Sequence, residues 1–296
     1  MLKSPDLAMP SPRITRAGWA PGLSALRWLR QRPLVFNLGL LLLALISAVT
    51  FIGPLVYRAS PYTINPIFQL IAPSSRYPLG SDQIGRDELA RLISGGQASL
   101  IIGFSASFLA IAFGMTYGLL AGLAPRFGDA ALMRLLDALL AVPTIVILIF
   151  LVSLYKLTDP VLILLLGCTS WPRTARVVRN ETLAARSRDF VTASRQFGAG
   201  VFFIARTHIV RTILPILVVN FVFLVADNIL ALSFLSFLGL GVQPPVPTWG
   251  NLLFDGMDNI FSNAWWLIYP PGLMIFLSVV AVNMIGEGVI TSMERS

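Results

Sequence analysis

The sequence predicts an all-α polytopic membrane protein with six transmembrane helices. Three observations carry that prediction. First, 56% of the 296 residues are hydrophobic and only 12% are charged, against roughly 25% charged in soluble domains; mean hydropathy is +0.78. Second, the apolar residues fall in long runs. At 1.5 Å rise per residue, about 20 of them cover roughly 30 Å of hydrocarbon. Third, the basic residues are asymmetric. When the intervals between runs are assigned to alternate sides, 17 of the 22 Lys and Arg share the side of both termini and 5 lie opposite. Cytoplasmic loops carry such an excess, so both termini are expected inside.

Taken in order, residues 1–33 form a basic tail, with Lys3, Arg13, Arg16, Arg27, Arg30 and Arg32 against one acid, Asp6. Its Pro- and Arg-rich composition predicts an unpacked cytoplasmic segment. The run 34–57 is too long for a signal-peptide core and lacks a small-residue cleavage site, so it reads as an uncleaved first span. Residues 58–97 are turn-rich, with Pro61, Pro66, Pro73 and Pro78, and are expected on the outer, periplasmic side.

The core is expected over 98–290. Ala98–Ala124 is charge-free and forms the second span. Within it Gly114, Gly118 and Gly122 recur every fourth residue, a stripe that lets another helix backbone approach closely. A short inside turn, Pro125–Asp129, leads to a third span over Ala130–Tyr155. Lys156–Asp159 is an outside turn. The fourth span starts at Pro160 and is expected to end near Arg173 and Arg176, whose stems snorkel to the headgroups. The fifth span is Thr212–Leu240 and the sixth Ala264–Gly288, with Trp265, Trp266 and Tyr269 as an interfacial belt. Residues 291–296 form a short inside tail.

Several functions are excluded by residue supply. Cys168 is the only cysteine and His208 the only histidine. An internal disulfide and a Cys- or His-rich metal site are therefore excluded. The net charge of +8 comes from arginines placed between apolar runs; that placement reads as topology rather than nucleic-acid binding. The run Leu92–Gln97 mimics an ABC ATPase signature. No Gly-x4-Gly-Lys-Ser/Thr loop accompanies it, so nothing here cradles a nucleotide. Asp137, Asp227 and Glu287 lie within or at the ends of spans. Arg134, three residues before Asp137, is its expected local partner. Asp227 is expected to face protein or water, either as an ion site or as a packing residue beside Asn228.

The longest polar interval of the second half is Arg173–Pro215, with eight arginines against Glu181 and Asp189. Phe190, Ala193 and Phe197 share one helical face; Arg188, Thr192 and Arg195 share the other. Gly198 and Gly200 break the pattern, and Phe202, Ala205 and Ile209 resume it. The pattern predicts two short amphipathic helices joined by a glycine bend. Such a segment either docks a partner or lies on lipid headgroups.

These residues carry a resemblance. Arg188–Val210 (RDFVTASRQFGAGVFFIARTHIV) resembles the EAA loop of ABC-importer permeases, with Gly198 at the loop glycine. Thr192-Ala193-Ser194 stand where Glu-Ala-Ala would, and Arg211 replaces a proline that here comes at Pro215. Tyr77–Gly96 (YPLGSDQIGRDELARLISGG), Ser236–Gly250 (SFLGLGVQPPVPTWG) and Asn283–Gly288 (NMIGEG) are similar to the dipeptide and oligopeptide permeases of the C type. Leu232 stands where members often carry an acid.

The resemblance implies a type I ABC importer permease fold in a bacterial cytoplasmic (inner) membrane. It implies a second homologous permease subunit as heterodimer partner, two cytoplasmic ATPase subunits and an external substrate-binding protein. ATP would be bound by the partner subunits, so this chain is expected to hold no cofactor and to carry no enzyme chemistry. Within the coupling loop, 179–211, it implies ATPase coupling through Asp189, Phe190, Val191, Ala193, Phe197, Gly198 and Ala199. The implied substrates are di- and oligopeptides, with nickel, glutathione, opines or another small solute as alternatives in related permeases. An ion-coupled secondary transporter using Asp227 is the remote alternative.

Overall fold

A computed structural model describes residues 33–155 and 158–294. The basic tail 1–32, Lys156 and Arg295 lie outside the described residues. The helices are α1 (Leu34–Val56), α2 (Glu88–Leu123), α3 (Arg126–Leu140), α4 (Thr144–Leu154) and α5 (Asp159–Arg186), then α6 (Asp189–Gln196), α7 (Val201–Phe237), α8 (Trp249–Met257) and α9 (Tyr269–Glu294). Five of them are long and apolar enough to cross a membrane, and the count reaches six if the bent pair α3–α4 is one span.

The boundaries depart from the sequence expectation in instructive ways. α2 begins ten residues before Ala98, because the Asp87 carboxylate caps it by accepting from the Ala90 N–H at 2.9 Å. A charge-free run marks only the hydrocarbon part of a helix. The expected third span is broken by 77° between Leu140 and Thr144. Pro143 lacks an N–H and disfavours helical backbone at Val142.

Pro172, by contrast, does not end α5, a helix of 28 residues that continues past Arg173 and Arg176 to Arg186. Prolines are tolerated in such helices where neighbours stabilise them. α7 starts at Val201 rather than Thr212 and carries a π-turn at Ala205–Ile209. α9 starts at Tyr269, after a 3₁₀ turn at Trp265–Leu267, and runs six residues past Gly288. α8 lies between the expected fifth and sixth spans and has no counterpart among them; a capping box between Thr248 and Asn251 starts it.

α2 pairs with α5 along the glycine stripe. A Cβ on Gly114 would come 2.6 Å from Thr174 Cβ. One on Gly118 would come 2.6 Å from both Ala175 O and Val178 Cβ, and one on Gly122 the same distance from Thr182 Cβ. Only hydrogen fits there, so dispersion contact between the backbones holds the pair.

Three apolar clusters follow from this packing. Ile46, Leu100, Val225, Ile229, Trp249 and Val282 join α1, α2, α7, α8 and α9. Ile102, Leu148, Leu162, Leu166, Leu232 and Leu235 join α2, α4, α5 and α7. Val178, Ala185, Val191, Ile204, Ile209 and Ile213 seat α6 on α5 and α7.

Candidate functional site

The segment that links α5 to α7 is built around one anchor. Val191 is fully buried in the third cluster. Around it α6 turns Asp189, Phe190, Ala193 and Phe197 outward. Phe197 is 92% exposed and Phe202, on the first turn of α7, 79%. In water or lipid headgroups such faces are rarely left without a function.

The end of α6 is set by Gly198. The Ala199 N–H donates to Ser194 O at 3.1 Å, and the Gly198 N–H to Arg195 O at 2.9 Å. These are the two bonds of a Schellman cap, with Gly198 at φ +83. Nothing lies within 4 Å of a Cβ built there, so the backbone conformation, not space, calls for glycine. Ala199 is partly buried against the third cluster.

The residues assigned to coupling by resemblance therefore divide. Val191 and Ala199 seat the segment, and Asp189, Phe190, Ala193, Phe197 and Gly198 are presented outward. His208, the single histidine, packs behind this face. Its ring lies 5.7 Å from that of Phe190 and 6.0 Å from that of Phe203, so it props the outward face from behind.

The arginines of this interval have separate roles. Arg173, Arg176 and Arg179 recur every third residue on α5, and each meets an acid on another helix. Arg176 Nη2 donates to Asp137 Oδ1 at 2.5 Å. Asp137 is thus tied across to α5, not paired locally with Arg134 as expected. Arg179 holds Asp129 through Nε and Nη2. Arg186 Nη1 donates to Gly122 O at 2.6 Å. Arg188, Arg195, Arg206 and Arg211 are exposed and form the basic rim.

At the bend between α3 and α4 lies a cavity of about 390 Å³, lined by Thr144, Thr169, Ser170, Arg173, Asp227 and Asn228 among apolar neighbours. Its floor is a closed network. The Asn228 amide donates to Ser107 Oγ at 2.9 Å and accepts from Ser170 Oγ at 2.9 Å. The two readings of Asp227 are thereby separated. Asn228 is the buried packing residue, whereas Asp227 is 60% exposed and faces Arg173 Nη1 at 3.5 Å. Glu287 is exposed.

At the opposite end of the bundle from α6, a buried charge cluster fixes the loops. The Asp82 carboxylate accepts from the N–H groups of Ile84 and Arg86 at 3.0 and 2.8 Å, and from the Arg86 and Arg91 side chains. Arg91 also donates to Asp255 at 2.8 Å. Glu88 is buried beside Arg91 at 3.8 Å. The Tyr57 hydroxyl donates to Asp87. Burial first, and then that bond, hold the phenol above its ordinary range.

This arrangement defines a helical, polytopic membrane protein: spans packed on small residues, a polar cavity at the α3–α4 bend, and an outward amphipathic helix at one end. Comparison with known proteins gives the family. Residues 114–296 match the model of the binding-protein-dependent transport system inner membrane component. The chain is 36% identical over 256 residues to the di/tripeptide transport system permease DppC of Pseudomonas aeruginosa, covering 84% of each. It is 33% identical to the dipeptide transport system permease DppC of Bacillus subtilis, covering 84% of this chain and 78% of that one. It is 35% identical to a putative peptide permease of Brucella ovis, covering 90% and 87%.

Among solved structures, the MetNI methionine ABC transporter in an inward-facing conformation is similar in fold. The TM-score is 0.54 at 18% identity, covering 68% of this chain and 95% of that one. The chain belongs to the family of binding-protein-dependent transport system inner membrane components, and is an ABC-importer permease of the C-type branch.

Proposed function

We propose that this chain forms one half of the translocation pathway of an importer of di- or oligopeptides. It pairs with a second, homologous permease, takes its energy from two cytoplasmic ATPase subunits, and receives substrate from an external binding protein. ATP stays on the ATPase subunits. In this reading both termini and α6 face the cytoplasm, an orientation supported by the arginine excess of the sequence segments on that side. The names of the relatives and their coverage of most of this chain support the peptide assignment.

The observation that carries the coupling reading is the division within α6. Val191 is clamped in the core while Phe190 and Phe197 are offered outward. A pull on that face reaches α5 and α7 at once, because the third cluster joins all three helices. ATP-driven closure of the ATPases then rocks one permease against the other.

The test is reconstitution of the permease pair, ATPases and loaded binding protein in proteoliposomes. The expected result is peptide uptake that requires ATP. Uptake driven by an ion gradient without ATP would replace this reading with a secondary transporter. Reagent applied to intact cells should not reach a cysteine placed at Arg195; modification there would invert the topology.

A further inference from the structure

Counted from Asp159 and from Phe237, at 1.5 Å per residue, Arg173 and Asp227 lie about 21 and 15 Å from the same end of the bundle. With roughly 30 Å of hydrocarbon, that puts Asp227 near mid-depth and Arg173 about two thirds of the way across, inside the span rather than at the headgroups expected from sequence. Yet their side chains are 68% and 60% exposed. A charge at that depth costs about 2.5–3.5 kcal/mol against lipid on insertion scales, so such residues face protein or a water-filled path. They share this face with the polar wall of the 390 Å³ cavity, where Thr144, Thr169 and Ser170 stand beside them. That volume falls within the roughly 300–1,000 Å³ of small-molecule sites.

The pairing itself is loose. One Nη1–Oδ2 approach of 3.5 Å joins the two groups, in contrast to the two-bond grip of Arg179 on Asp129. Either charge can take a new partner at small cost if the other is satisfied too. A ligand carrying both signs does this in one step. Guanidinium offers a planar fork to a carboxylate, and the aspartate accepts from an ammonium. A path must also release what it binds, which favours a weak site of this kind.

We propose that Arg173 and Asp227 form a two-charge subsite on the translocation face, receiving the free carboxylate and ammonium ends of a short peptide within the membrane. The inference rests on the peptide-permease reading above. It adds a specificity-determining pair that selects zwitterionic peptides over end-blocked ones.

The experiment uses the assembled transporter in membranes, with Cys168→Ser to remove the one exposed thiol and Thr144→Cys as reporter. The reporter is modified with a small charged thiosulfonate in the presence of dialanine or of N-acetyl-dialanine amide. Dialanine is expected to slow modification on the order of tenfold, equivalent to about 1.4 kcal/mol, and the blocked peptide to leave it unchanged. Arg173→Gln or Asp227→Asn should abolish the protection, and Arg173→Lys and Asp227→Glu should retain it.

Copurification of the ATPase subunits checks assembly of each variant; if Arg173→Gln does not assemble, Asp227→Asn and the two conservative variants decide. A reporter that stays unmodified, equal protection by the blocked peptide, or protection that survives in the neutral variants would each overturn the proposal. A complex that imports peptide with ATP but shows no such protection removes this inference alone. One that imports no peptide removes the reading beneath it.

Discussion

Arg179 holds Asp129 through two hydrogen bonds, Nε to Oδ1 at 2.9 Å and Nη2 to Oδ2. The pair ties the last third of α5 to the first turn of α3. Asp129 also sits where the α3 N-terminus favours a negative charge. Both groups are largely sheltered, with side chains 24% and 17% exposed. Asp129→Ala should therefore destabilise by about 1.5–3 kcal/mol, the range for charge-assisted bonds. Arg179→Ala should add little on top, because both remove the same tie. The check is a double-mutant cycle on the unfolding temperature in detergent. Additive effects would mean the two residues act separately.

Gly118 and Gly200 make a matched pair for the close-packing argument. A Cβ on Gly118 meets Ala175 O and Val178 Cβ at 2.6 Å, whereas one on Gly200 meets nothing within 4 Å. Gly200 also has an ordinary φ of −70. The same alanine substitution should cost about 1–3 kcal/mol at Gly118, as overpacking does, and close to nothing at Gly200. Membrane yield and thermal unfolding of the two variants settle it. Equal yields with equal melting would mean that α2 and α5 separate freely.

How much of this was legible follows from particular residues. The spans were readable because lipid demands long charge-free runs, and the α6 pattern because one face is apolar. The two prolines were not separable by sequence. Pro143 sits at a 77° break and Pro172 inside an unbroken helix. What differs is burial: Pro172 is buried and Pro143 exposed, and burial is a property of neighbours. Asp137 had Arg134 within reach along its own helix, yet Arg176 from α5 took it. That choice depends on how helices cross, which residue spacing does not encode. The charge cluster at the end of the bundle opposite α6 joins Arg91 to Asp255 across 164 residues, beyond any local pattern.

That cluster yields a strong destabilisation. Arg91 is 3% exposed and stands between Asp82, Glu88 and Asp255. Removing its guanidinium leaves carboxylates facing one another in a buried site. Arg91→Ala should cost about 3–5 kcal/mol, the loss seen when one member of a buried pair is deleted. Arg91→Lys keeps the charge but loses the fork that reaches Asp82 and Asp255 together, so it should rescue only in part. Protease resistance of the folded protein in detergent is the readout. Full stability of Arg91→Ala would show that Arg86, 2.6 Å from Asp82 and 3.5 Å from Asp255, suffices alone.

Phe190, Phe197 and Val191 separate seating from coupling. Phe190 stacks near His208, so charging it disturbs the segment itself and the result is ambiguous. Phe197 is 92% exposed and touches little of its own chain, whereas Val191 is fully buried. Phe197→Arg should leave folding and membrane yield unchanged. If Phe197 is an anchor in the ATPase groove, its loss should weaken capture of the ATPase subunits by about 2 kcal/mol or more, as hot-spot residues do. Peptide uptake should fall with it. Val191→Asp should instead release α6 from the core and lower the yield of folded protein, because a buried unpaired charge cannot be tolerated there. Copurification of tagged ATPase, normalised to permease in the membrane, distinguishes the two. Normal ATPase capture and transport by Phe197→Arg would place that face against lipid headgroups and move the coupling contact elsewhere.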